Sequence, residues 1–110
     1  MIARISVRVV ASILALLVGC SGARRTDGLD PSAMPPEVAA DYQVFAQRCS
    51  KCHTLARPLN SGITDDGFWR IYVSRMRRMQ GSGISEADAE RILRFLHYYS
   101  ADQLSKKGAS

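Results

Sequence analysis

The sequence predicts a small all-α domain, and three observations carry that expectation. Apolar residues recur at helical spacing in three separate stretches, each stretch opens on residues suited to a helix N-terminus, and no run alternates apolar with polar as a half-buried strand does. A chain of 110 residues has room for one domain, and residues 1–34 carry no such periodicity. Three to four helices over residues 35–101 follow.

The first helix is expected to start at Pro35 and Pro36, where a missing N–H costs nothing and φ is already set. Glu37 suits the first turn. Val38, Tyr42, Phe45 and Cys49 fall at i, i+4, i+7 and i+11, one helical face. A second helix runs from about Asp65 to Gln80, with Thr64, Asp65 and Asp66 supplying the cap and first-turn acids and Gly67 weakening it slightly. Trp69, Val73 and Met76 share its apolar face, and Gly81-Ser82-Gly83 ends it with residues free to take positive φ. The third helix has Ser85 as N-cap, Asp88 at N3 for a capping-box variant, and Ile84 against Ala89 as a staple. Its buried stripe is Ala89, Ile92, Leu93, Leu96 and Tyr99. Residues 102–110 lack an apolar pattern and read as a flexible tail.

The N-terminus reads as an export device. Residues 1–8 carry Arg4 and Arg8 without an acid, and Val9 to Val18 is apolar except for Ser12, the n- and h-regions of a secretory signal. That run is too short to span a bilayer, which takes about 20 residues. Leu17-Val18-Gly19-Cys20 resembles the bacterial lipobox, where cleavage precedes an acylated cysteine; an ordinary signal with a stray cysteine would favour Ala-x-Ala instead. The resemblance implies a signal peptide over 1–19, a lipid anchor at Cys20, and a flexible linker over 20–34. It also implies a protein of the cell envelope facing the periplasm, and Ser21 goes with sorting to the outer membrane.

The residues that carry chemistry are Cys49-Ser50-Lys51-Cys52-His53. Two thiols three positions apart, followed at once by histidine, form the spacing for covalent attachment of a c-type haem. The thiols add to the two vinyl groups and the imidazole offers a nitrogen to iron. A zinc site would need a fourth ligand, for which the remaining histidine is His97. A thioredoxin-like dithiol would need a strand before the motif in a βαβ setting, which the pattern does not supply.

The motif and its setting resemble the cytochrome c family, whose members carry Cys-x-x-Cys-His after an amphipathic helix, often with an aromatic residue four positions before the first cysteine. Phe45 fills that place, and the resemblance covers roughly residues 36–100. It implies a small cytochrome c-like domain around one covalently attached haem c, held by Cys49 and Cys52, with His53 on iron. Met76 and Met79 are the candidates for the sixth ligand. At about 100° per residue Met76 lies roughly 20° from Trp69 and Met79 roughly 80° away, which favours Met76. The Trp69-to-Arg75-Met76 stretch also resembles a pattern in small haem domains of periplasmic oxidoreductases. The family further implies that the carbonyl of Pro58 meets the second ring nitrogen of His53, the alternative being a turn proline. It also implies that the last helix crosses the first, bringing Phe45 and Tyr42 to Leu96 and Ile92. His97 falls off the stripe and is not expected to be a ligand.

The functional expectation is a one-electron carrier that transforms no substrate, acting as a monomer with redox partner proteins and held to the membrane through Cys20. The alternatives are a haem-based gas sensor or peroxidase-like domain with a labile sixth ligand, and a haem subunit of a larger oxidoreductase. The formal charge of +5 falls by two when Arg4 and Arg8 leave, and two haem propionates would lower it further. Nucleic acid is not indicated, because the arginines are spread over helical faces; Arg75, Arg77 and Arg78 read as a solvated face, with docking of an acidic partner as the rival use. A domain of this size leans on a covalent or cofactor staple, so a haem-free chain is expected to be largely unfolded.

Overall fold

The computed structural model describes residues 28–109. The expected signal segment 1–19, Cys20 and Ser21 lie outside the described residues. A 3-10 turn, Pro31–Ala33, precedes four α-helices: α1 Pro36–Cys49, α2 Ala56–Leu59, α3 Asp66–Arg78 and α4 Glu86–Gly108. Among the described residues there is no strand, so the chain is all-α. None of these helices is long and apolar enough to cross a membrane.

Local chemistry sets the helix ends. Pro35 occupies the N-cap of α1 with Pro36 behind it. The Asp65 carboxylate accepts from the Phe68 N–H at 3.1 Å, and Ser85 with Asp88 makes both halves of a capping box on α4. Gly81 and Gly83 sit at φ of +79° and +64°, where an L side chain is strained.

The core forms where α4 packs against both α1 and α3. Phe45 of α1 and Ile92 and Phe95 of α4 are completely buried, with Trp69 and Val73 of α3 close behind. Each such side chain contributes about 1.5–3 kcal/mol by leaving water. Phe45 and Phe95 have ring centroids 4.7 Å apart, and Tyr42 meets Phe95 edge-on at 5.1 Å.

Several expectations need correcting. Phe45 and Tyr42 share one core cluster with Ile92 and Leu96, and Phe95, which the stripe left out, is their aromatic partner. Phe95 and Ser100 join the buried set of α4, whereas Leu93 and Tyr99 are only half-buried. The cause is that α4 is covered on two sides, which widens its buried arc beyond a single stripe. The last helix passes residue 101 and continues to Gly108. No glycine or proline interrupts 102–107, and Asp102 and Lys106 form an i,i+4 ion pair at 2.9 Å. The end of the expected linker is also part of the fold: Leu29 and Met34 pack on the core, and the Leu29 N–H donates to the Tyr42 hydroxyl at 2.7 Å.

One buried charge ties the crossing of α1 and α4. Asp41 is 6% exposed. Arg94 donates to both of its carboxylate oxygens at 2.9 and 3.0 Å, and Arg91 donates to Oδ1 at 2.9 Å. Burial raises the Asp41 carboxyl, but the hydrogen bonds and charges of Arg94 and Arg91 outweigh it and hold the group below the usual carboxylate range.

Candidate functional site

Cys49 is the last residue of α1, so the helix delivers the first sulfur and the chain then turns through Ser50, Lys51 and Cys52 to His53. Cys49 is half-buried and Cys52 exposed, and both are free thiols. Burial pushes the Cys49 thiol up to about 11. A thiol so raised stays protonated at neutral pH.

Cys49, Cys52 and His53 line a cavity of about 370 Å³ together with Met76 and Met79, from the far end of α3, and Tyr72 and Ile84. Cofactor sites fall in the range of about 300–1,000 Å³. The tertiary fold thus brings the attachment motif and both candidate thioethers to one place. Met76 is partly buried and packs on the core, while Met79, the C-cap of α3, is 56% exposed. A wider groove of about 790 Å³ lies elsewhere, bordered by Val38, Arg70, Leu93 and Tyr98, and carries no sulfur.

His53 Nδ1 lies 3.0 Å from the Thr54 carbonyl oxygen. That contact is a hydrogen bond when the ring proton sits on Nδ1, which leaves Nε2 with a free lone pair, the tautomer a metal ligand needs. The expectation that Pro58 fills this role is not met here, since the Pro58 carbonyl accepts instead from the Ser61 N–H at 3.2 Å. Pro58 is fully buried within the short helix α2, a packing role.

One link fastens the motif to the segment after α3, and another fastens the end of α1 to the start of α4. Lys51 Nζ donates to the Ser82 carbonyl at 3.3 Å, and Arg48 pairs with Asp88 at 3.1 Å. A Cβ at Gly83 would lie 3.0 Å from Lys51 Nζ and 3.5 Å from Arg48 Nη1. The segment carrying Ser82 and Ile84 is held against the cavity in this way.

The lining contains one anomaly. The Tyr72 hydroxyl is, among the described residues, the only buried side-chain polar atom without a hydrogen-bond partner. Burial, reinforced by Cys49, raises its phenol, and Arg57 pulls the other way. A buried hydroxyl left unpaired costs about 1–3 kcal/mol, which a polar atom of a bound group would remove. Two thiols, an imidazole with an available nitrogen, two thioethers and an unpaired hydroxyl form a donor set that fits a haem c.

The zinc alternative gains nothing from the fold. His97 is not among the cavity-lining residues; its Nδ1 lies 3.0 Å from Asp66 Oδ2, across α3 and α4. Among the described residues no group of three or more His, Cys, Asp or Glu side chains is placed to hold a metal ion. Sequence reasoning missed Tyr72 as a site residue, although its position four residues before Met76 puts it on the same side of α3.

Comparison with known proteins gives no match: no family model, no curated protein and no solved structure is similar to the chain.

Proposed function

We propose that this chain is a membrane-tethered monohaem cytochrome c, a one-electron carrier that transforms no substrate. The observation that carries this reading is the convergence of Cys49, Cys52 and His53 with Met76 and Met79 on one cavity, although Cys52 and Met76 are far apart in sequence. Bound there, haem supplies an iron that passes between Fe(III) and Fe(II).

The chain's own residues have distinct tasks in this proposal. Cys49 and Cys52 hold the group by thioether bonds, and His53, oriented by the Thr54 carbonyl, offers Nε2. Met76 offers its thioether; histidine and methionine together raise the reduction potential by favouring the reduced metal. The aromatic core behind the cavity, Trp69 and Phe45 above all, keeps water out. Acyl chains on Cys20 anchor the chain to the cell envelope on the periplasmic side, at the outer membrane.

The mass of the exported mature chain tests the proposal directly. The expected result is one added haem that survives denaturation, acyl groups on an N-terminal Cys20, and a visible spectrum that changes reversibly on reduction. A well-folded, colourless chain lacking the added mass sinks the proposal. Rapid carbon monoxide binding to the reduced protein would favour the gas-sensor alternative.

A further inference from the structure

Helix α3 combines two kinds of exposure. Phe68 is 64% exposed and Ile71 51%. At about 100° per residue, Phe68, Ile71, Arg75 and Arg78 share one face roughly 80° wide. After Asp66 this helix carries Arg70, Arg75, Arg77 and Arg78, all exposed, and no acid. None of the four takes part in the salt bridges of the described residues. Elsewhere Arg94 is paired with Asp41, Arg48 with Asp88 and Lys106 with Asp102.

We infer that this face of α3 docks on the surface of a bilayer containing anionic phospholipid, the same bilayer in which the chain is anchored; the inference rests on the acyl anchor proposed at Cys20. Interleaved arginine and large apolar side chains on one helical face suit the boundary between headgroups and acyl chains. Each arginine adds to the attraction of an anionic surface. The length of the tether favours a membrane over a protein partner. Because Leu29 is bound to Tyr42, only the chain between Cys20 and Gly28 remains, and fully extended it spans at most about 28 Å. That is close to the width of a small domain, about 30 Å. The bilayer is therefore always within reach, at an effective concentration that a diffusing acidic protein does not match.

The test uses the haem-loaded mature chain with Cys20→Ser, exported behind a cleavable signal, so that no acyl chain contributes. Co-sedimentation with phosphatidylcholine vesicles is compared with and without phosphatidylglycerol. The expected result is binding that requires the anionic lipid, falls by roughly thirtyfold in Arg75→Gln/Arg78→Gln, and falls also in Phe68→Ser/Ile71→Ser at low salt, with the visible spectrum unchanged in both. Absence of binding to anionic vesicles, or binding indifferent to both pairs of substitutions, overturns the inference. So does cross-linking of α3 in the anchored native chain to a protein instead of its shielding by lipid. A mature chain whose mass lacks acyl groups overturns it too, and that mass is separate from the haem mass, so failure of the anchor and failure of the electron-carrier proposal are told apart.

Discussion

The Trp69 indole N–H donates to the Ser100 hydroxyl at 2.7 Å in the buried seam between α3 and α4. The bond satisfies the one polar atom of the largest fully buried side chain, on the helix that carries Met76. Ser100→Ala leaves the indole N–H buried without a partner, at a cost of about 1–3 kcal/mol. Denaturant titration of the holoprotein should show that loss with an unchanged slope. Ser100→Thr, which retains the hydroxyl, should recover part of it.

Asp41 makes stability depend on acid. Its folded value lies below the ordinary one because Arg94 and Arg91 outweigh burial, so its stabilisation is complete above about pH 4, the unfolded carboxylate range, and is lost as pH falls through the lowered folded value. Asp41→Asn should cost about 2 kcal/mol at neutral pH, a figure kept modest because the Arg91 and Arg94 side chains are 40% and 59% exposed and can rehydrate. Thermal melts from pH 6 to pH 2 should show a shallower acid limb in the variant.

Met76 and Met79 both border the cavity, yet differ in burial. Met76→Leu should abolish the weak far-red absorption band that marks methionine on ferric iron in the cytochrome c family, and Met79→Leu should leave it. The reverse result would assign the ligand to Met79. If Cys49 and Cys52 hold haem as proposed, its mass should remain in either single variant.

His97 lies outside the cavity, with a side chain 70% exposed beside Asp66. His97→Gln should leave the visible spectrum of both oxidation states unchanged, and a change in the Soret position would reveal a bis-histidine site instead.

What could be read in the sequence was local. Cys49 to His53 sets two thiols and an imidazole within five consecutive residues, and Ser85 with Asp88 announces a cap within one turn. Tyr42 and Phe45 were legible because helical spacing alone puts them on the face of Cys49. Phe95 was not, because its burial depends on α4 having two neighbours, and a single stripe drawn from Ala89 through Leu96 leaves it out. The Asp41 cluster was equally hidden, since its arginines come from the far end of the chain and nothing near Asp41 foretells them. Leu29 belongs with these: its segment has no periodicity, and only the distant Tyr42 hydroxyl makes it part of the domain. The orphaned Tyr72 hydroxyl follows from the closing of the cavity, an event that sequence does not record.

Gly83 answers two demands at once. Its φ of +64° disfavours other residues by about 1–2 kcal/mol, and a Cβ there would lie 3.0 Å from Lys51 Nζ, which would have to give way. Gly81 has the first demand without the second, since nothing lies within 4 Å of a Cβ built on it. In a saturation library scored for red colonies, position 83 should therefore tolerate fewer replacements than position 81. A depletion map would rank it beside the sulfurs, although what it contributes is a left-handed turn and room for one neighbouring ammonium.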